Sequence, residues 1–222
     1  MILLILLTIA GYAYWVGDEN TKLGVLLGGL VATLIAVIIQ FILSLHGHME
    51  MDRLRRMGFQ NVLTHRKDRQ EYYAELLAHA RKEIDFLGNT AWRFLNDFAF
   101  EGEGGSDMDR LLLAALERNI QVRILVAPTA HLPPGKKADH KKSMDRLQEL
   151  KQRFPRYLDY RELSHVPTQT YVRVDRACVF GPVFPGIPSR VTPAIHAETS
   201  SPFLDQYFTY FDRGWDYTED GR

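Results

Sequence analysis

The residues best suited to chemistry in this 222-residue chain are polar side chains near the predicted ends of strands. His165 and His196 could act in acid–base catalysis, because the unperturbed pKa of imidazole is about 6.5. Asn89 directly follows one predicted strand, and Arg173 lies in another. These four side chains could line a single pocket at the strand ends. The two histidines could equally lie in loops or at strand edges without a functional role.

Several familiar kinds of site are excluded by the sequence. It contains no P-loop, no dinucleotide-binding glycine motif, no zinc-protease helix and no nucleophile elbow. Cys178 is the only cysteine, so an intramolecular disulfide is impossible and a cysteine metal site is not expected. The histidines show no convergent ligand spacing, and we predict no metal site and no cofactor. The formal net charge is zero, so we expect no nucleic-acid partner.

Two apolar runs stand at the N-terminus, residues 2–16 and residues 23–45, with a short polar turn at residues 17–22 between them. A spanning helix needs about 20 apolar residues, which the second run supplies and the first approaches. We therefore predict a hairpin of two transmembrane helices over residues 1–46. The alternative for the first run is a signal peptide, but it lacks a basic start and a small-residue cleavage site.

Basic residues set the predicted orientation of the hairpin. The turn holds only Lys22, whereas Arg53, Arg55 and Arg56 follow the second run within residues 47–67. The positive-inside bias therefore places the large domain and both termini in the cytosol, at the inner (cytoplasmic) membrane. This basic connector could also attract anionic lipids, or its only role could be to set the orientation of the membrane helices. The lipid bilayer is the first expected partner.

Residues 68–222 show alternating helix and strand patterns. Helices are predicted over residues 68–83, 91–99, 107–117, 141–154 and 203–215, the last with an aromatic stripe. Strands are predicted over residues 83–88, 120–126, 157–163, 171–180 and 194–197, and loops over residues 101–106, 127–140 and 182–193. Strands alternating with helices indicate one α/β domain with helices on the faces of its sheet.

The order of these elements resembles one half of the phospholipase D-like fold over about residues 65–217. The resemblance rests on Gly88, Asn89 and Thr90 at the end of a strand, on the strand at residues 119–125, and on three later segments. Those segments are Arg173-Val174-Asp175, Gly181 and residues 210–215. This resemblance implies a single α/β domain with a mixed sheet.

Active members of that family carry His-x-Lys-x-x-x-x-Asp followed by Gly-Ser. When Asp175 is aligned with the motif aspartate, Thr170 stands at the lysine position and Thr168 at the histidine position. Threonine cannot replace the imidazole nucleophile without an activating base, and it carries no positive charge. The resemblance therefore implies a bacterial branch without catalytic residues, a pseudoenzyme. The implied ligand-binding residues are Asn89, Thr90, His165, Thr168, Thr170, Arg173, Asp175 and His196.

Three functions are consistent with this sequence. The first is a membrane effector in signalling or antiphage defence that senses a ligand, with a nucleotide as the expected class. The second is a membrane-tethered phosphodiesterase or nuclease that uses His165 or His196. The third is a scaffold that localises a protein partner. Under all three we expect a homo-oligomer, a dimer or larger, because half-domains of this fold usually pair.

Overall fold

The computed structural model describes residues 11–12, 14–16, 18–63, 66–100, 106–184, 187 and 192–220. The chain forms two compact units, Met1–Arg53 and Leu54–Arg222.

The main element of the first unit is a long helix, α1, over Glu19–Arg56. Its segment Lys22–His46 is the one helix of the described residues that is long and apolar enough to cross a membrane. Leu30, Leu34 and Ile38 are exposed there, as suits a helix surrounded by lipid. Residues 11–12 and 14–16 are helical, but most of the first predicted membrane helix lies outside the described residues.

The second unit is built on a seven-stranded sheet with the order β1-β7-β6-β5-β2-β3-β4. β2, β3 and β4 run parallel to one another, and every other neighbouring pair is antiparallel. The sheet is therefore mixed, which agrees with the predicted α/β class. The strands are β1 Phe59–Leu63, β2 Glu83–Gly88, β3 Gln121–Val126, β4 Leu158–Glu162, β5 Gln169–Val174, β6 Ala177–Pro182 and β7 Ala194–Glu198.

Helices cover both faces of this sheet. The side chains of β2 alternate, so that Ile84 and Phe86 join a core with α2–α5 while Leu87 joins a second core with Phe211 and Trp215 of α6. Burial on both faces explains why β2 places apolar side chains on both of them. The helices are α2 Arg66–Ala78, α3 Trp92–Phe98, α4 Leu111–Glu117, α5 Pro134–Arg153 and α6 Asp205–Asp220, with 3-10 turns at Asp107–Arg110, Thr129–His131 and Pro202–Leu204.

The predicted single strand over residues 171–180 is wrong, because two antiparallel strands, β5 and β6, occupy this region. They are joined by a turn at Asp175, whose φ is +50°. The predicted loop over residues 127–140 is also partly wrong, because α5 begins at Pro134. Proline suits the first position of a helix, since its missing N–H has no partner there in any helix.

β1 lies within residues 47–67, the segment interpreted from the sequence as a polar connector. Its inner edge pairs with β7, from Phe59 opposite Ala197 to Leu63 opposite Ala194. Gly58 leads into β1 with a φ of +83°, a conformation that glycine adopts without strain. The sheet therefore begins before residue 68.

Candidate ligand-binding site

A cavity of about 210 Å³ opens at the C-terminal end of β2. It lies where β2 passes its last residue, Gly88, beside the start of the antiparallel strand β5. Residues from α2, α3, α5 and the segment after β6 complete it. The ends of sheet strands commonly form ligand sites, because the loops there diverge and leave room.

One wall of the cavity is aromatic. Phe86 and Phe94 stack with ring centroids 4.8 Å apart, and Phe98 meets Phe94 edge-on at 5.6 Å. Trp92 also lines the cavity, with the ammonium of Lys142 5.2 Å from its ring centroid. A wall of this kind gives flat apolar groups a large contact area.

The polar part of the cavity comes from Asn89, Thr90 and Thr170. Asn89 is held in place by its backbone, because its carbonyl and that of Gly88 accept hydrogen bonds from the N–H of Ala127 at 3.3 and 3.2 Å. Its side-chain Oδ1 is buried and has no hydrogen-bond partner among the described residues. An unpaired buried oxygen costs roughly 1–3 kcal/mol.

Charged residues of both signs reach the cavity. Lys136 and Asp139 of α5 face each other at 3.7 Å, and Arg93 and Asp97 of α3 also contribute. No histidine or cysteine occurs among the described lining residues. Within the same described part of the chain, no group of His, Cys, Asp and Glu could hold a metal ion.

Gly88 is required at the floor of this cavity. A Cβ atom added there would lie 2.9 Å from Cζ of Phe86. Any side chain would therefore push the Phe86 ring out of the aromatic wall.

The structure brings three of the predicted site residues together and separates the other five. Asn89, Thr90 and Thr170 line the cavity. The register of β2 and β5 explains this grouping, because Leu87 pairs with Tyr171 and so puts Gly88 beside Thr170. Thr168 is exposed just before β5 and does not line the cavity.

Arg173 lies on the opposite face of the sheet from Thr170. Its guanidinium is 2.5 Å from a carboxylate oxygen of the buried Asp85 and 3.1 Å from Glu83. Arg123 binds the same Asp85 through two hydrogen bonds, of 2.8 and 3.0 Å. Arg173 is thus part of a buried ion cluster on the side of the sheet that α6 covers, and the expectation that it lies in the cavity is not met.

Asp175 ties the β5–β6 turn to the segment before β2. Its carboxylate accepts hydrogen bonds from the backbone N–H groups of Arg81, Lys82 and Glu83 at 2.7, 2.8 and 3.0 Å. These bonds hold the turn against its neighbour and give Asp175 a structural role away from the cavity.

The two histidines lie in different places. His165 is exposed, where its Nε2 and the Tyr210 hydroxyl of α6 form a hydrogen bond of 2.7 Å. His196 lies in β7, where its Nδ1 is hydrogen-bonded to the hydroxyl of Tyr72. Burial lowers the pKa of His196, which favours the neutral ring. Neither histidine lines the cavity.

Cys178 is buried in β6 on the α6 side of the sheet. Burial raises the pKa of its thiol to about 12, so the group is protonated at neutral pH. A protonated and enclosed thiol is a poor nucleophile.

Sequence reasoning missed the aromatic wall and Lys136 as site residues. The signal for the wall was present, since an aromatic helix was predicted directly after Asn89 and Thr90. Lys136 was missed because the start of α5 was interpreted as loop. The pairing of Asp85 with Arg123 had no local signal, because the two residues meet only when β2 and β3 align.

No family model and no curated protein matches the chain. Among solved structures, it is similar to TrmBL2, an archaeal chromatin protein with a novel mode of DNA binding (15% identity, 87% of this chain and 69% of that one, TM-score 0.46). It is also similar to phosphatidylserine synthase of Haemophilus influenzae Rd KW20 (14% identity, 65% of this chain and 35% of that one, TM-score 0.44). NucT from Helicobacter pylori is a further similar structure (9% identity, 70% of this chain and 94% of that one, TM-score 0.44). The latter two have phospholipase D-like folds, and the chain spans about a third of the synthase's length.

Proposed function

We propose that this protein is a membrane-anchored, catalytically degenerate phospholipase D-like receptor that binds a nucleotide in the cavity at the end of β2. One observation carries the proposal. Asn89, Thr90 and Thr170 meet in one cavity, and Thr170 stands where the sequence resemblance expects the catalytic lysine. The position of a reactive group is thus taken by one suited to binding.

The chemistry of the cavity favours binding over turnover. A threonine hydroxyl needs an adjacent base to become a nucleophile. Among the described residues, the Thr90 and Thr170 hydroxyls make no hydrogen bond to a histidine or carboxylate, and no histidine lines the cavity. His165 and His196, the candidates for a phosphodiesterase, both lie elsewhere. For that reason the enzyme hypothesis is not adopted.

The proposed ligand class follows from the mixture of surfaces. The aromatic wall suits a planar ring, the amide and hydroxyls suit its polar edge, and Lys136 suits an anion. Nucleotides combine all three features.

We further propose that ligand binding changes the state of the membrane segment Lys22–His46 in signalling or antiphage defence. Such coupling requires that the ligand bind two states of the protein with different affinities. The basic residues Arg53, Arg55 and Arg56 after this segment support a cytosolic receptor domain at the inner membrane. A homo-oligomer would let neighbouring membrane segments act together.

Thermal unfolding of the full chain in lipid nanodiscs tests the binding proposal. The probes are mononucleotides and cyclic mono-, di- and oligonucleotides. A ligand at 100 times its Kd should stabilise the folded state by about 2.7 kcal/mol, which raises the Tm by several degrees. Thr170→Val should reduce this shift, whereas the matched Thr168→Val, outside the cavity, should not. If no nucleotide shifts the Tm, the scaffold hypothesis replaces this one.

Release of a trapped dye from liposomes tests the effector role. Proteoliposomes containing the full chain should leak only when the stabilising nucleotide reaches the receptor domain. Binding without leakage would refute an effector role in which the membrane segment makes the bilayer permeable, and would leave a receptor that signals in some other way.

A further inference from the structure

We propose that a second site, a groove between α6 and the segment after β4, binds the phosphate group of a small phosphate ester. This inference goes beyond the proposed nucleotide-binding function and does not depend on it. None of the described residues that line the groove also lines the cavity at the end of β2.

The groove measures about 450 Å³. Pockets that bind small molecules measure roughly 300–1,000 Å³, so the groove has room for one. Its walls come from two elements. Ser164 and His165 belong to the segment after β4, and one face of α6 supplies side chains three or four residues apart, among them Gln206, Tyr210, Arg213 and Tyr217.

Gly214 lets the two walls approach closely. A Cβ atom added at this position of α6 would lie 2.7 Å from Cδ2 of Leu163. Because α6 can pack directly on Leu163, the polar side chains of both elements line one groove.

The lining carries an unpaired positive charge. Arg213 is exposed, and its guanidinium forms no ion pair or hydrogen bond within the described part of the chain. Asp212, its neighbour in sequence, pairs instead with Arg123 at 3.3 Å. No aspartate or glutamate occurs among the described residues of the lining. A guanidinium with five N–H donors and no carboxylate beside it favours an anionic ligand.

Ser164, His165 and Tyr210 form a hydrogen-bonded chain that supplies a further donor. Nδ1 of His165 lies 3.1 Å from the Ser164 hydroxyl, and its Nε2 lies 2.7 Å from the Tyr210 hydroxyl. Two hydroxyls and a neutral imidazole carry three polar hydrogens, and the two hydrogen bonds use only two of them. Whichever ring nitrogen carries the proton, one hydroxyl therefore keeps a hydrogen that no described residue accepts. Burial raises the pKa of the Tyr210 hydroxyl, so this group stays protonated at neutral pH.

A phosphate ester suits this set of donors better than a carboxylate does. Its phosphate group carries a charge of about −1.5 to −2 at pH 7 and has three strong acceptor oxygens. The Arg213 fork can bind two of these oxygens, and Gln206 and the spare hydroxyl can donate to the third. Tyr217, 70% exposed and one turn beyond Arg213, can contact the organic part of the ligand.

Calorimetric titration of the full chain in phosphatidylcholine nanodiscs with glycerol 3-phosphate tests the proposal. Glycerol and glycerate are the matched probes, because the first lacks the phosphate and the second carries a carboxylate in its place. We expect glycerol 3-phosphate to bind, glycerate to bind several-fold more weakly because it offers less charge and fewer oxygens, and glycerol not to bind.

One variant and its control place the binding in the groove. Arg213→Gln should weaken glycerol 3-phosphate binding at least about tenfold, since it removes hydrogen bonds to a charged group. Its side chain is exposed, so the Tm of the ligand-free protein should not change. Arg176→Gln, which alters an exposed arginine between β5 and β6, should leave the affinity unchanged.

Nanodiscs that contain phosphatidic acid separate two sources of the phosphate. The headgroup of this lipid is a phosphate monoester, and phosphatidylglycerol at the same surface charge is the control. If phosphatidic acid alone lowers the apparent affinity for glycerol 3-phosphate, the groove takes a lipid headgroup. If it does not, the groove takes a dissolved ester, and both results support the site.

Three results would overturn the inference. They are no binding of glycerol 3-phosphate at millimolar concentration, equal binding of glycerate, and binding that Arg213→Gln leaves unchanged. If Lys136→Gln weakens binding instead, the phosphate occupies the cavity at the end of β2, and the groove is refuted while the proposed receptor function stands.

Discussion

Substitution of Asp85 by asparagine should destabilise the receptor domain strongly. Asp85 is 1% exposed and faces two guanidinium groups, those of Arg123 at 2.8 Å and Arg173 at 2.5 Å. Removing one partner of a buried ion pair leaves the other charge uncompensated and costs about 3–5 kcal/mol. Arg123 is 30% exposed and can regain some hydration, so we expect a loss near the lower end, about 3 kcal/mol. A domain has only about 5–15 kcal/mol in total.

Asp212→Asn is the matched control for this prediction. Asp212 binds the same Arg123 at 3.3 Å but is 54% exposed. An exposed pair contributes at most about 1 kcal/mol, so this variant should resemble the wild type. Urea unfolding of the full chain in detergent, followed by tryptophan fluorescence, measures both changes. If Asp85→Asn unfolds within about 0.5 kcal/mol of the wild type, or if the two variants lose equal stability, the buried cluster does not stabilise the sheet as argued here.

Two further predictions concern stability. Gly58→Ala should lower the free energy of unfolding by roughly 1–3 kcal/mol, because Gly58 has a φ of +83° and an added Cβ would lie 2.6 Å from Cβ of Ser201. Gly135→Ala is the control: the added Cβ meets open space in α5, so this variant should match or exceed wild-type stability in the same urea titration. The free energy of unfolding should fall as the pH drops below 6.5, since burial lowers the pKa of His196 and the unfolded chain then binds a proton that the folded chain does not. His196→Gln should make the free energy of unfolding depend less on pH below 6.5. If this pH dependence is unchanged in the variant, it does not come from His196.

The central sheet could be predicted from the sequence because its strands carry their own signal. β2 and β3 have apolar residues buried on both faces, and both strands were predicted within one residue of their observed bounds. The break between β5 and β6 was missed because Arg176 follows Asp175 where the usual two-residue hairpin has glycine. Asp175 tolerates its positive φ while three N–H groups from residues 81–83 bind its carboxylate. Such a contact between distant parts of the chain cannot be seen in a local pattern.

The candidate site was predicted in part, and the division follows from strand geometry. Asn89 and Thr90 directly follow β2, and Thr170 lies near the start of its antiparallel neighbour β5, so all three meet at one edge. Arg173 lies three residues further along β5 and therefore projects to the other face. Without the strand order, nothing in the sequence could show that His196 would lie near the far edge of the sheet, in β7 beside β1.

The pairing of β1 with β7 has a consequence for how the protein is made. Leu63 pairs with Ala194, so the inner edge of β1 has no partner until the ribosome has added β7. A nascent chain that stops before residue 194 leaves open edges on both β1 and β6, because β7 fills the gap between them. Open edges invite aggregation and attract chaperones and proteases. A chain that extends through β7 therefore pairs both of these edges, whereas a chain that stops before β7 leaves both of them exposed.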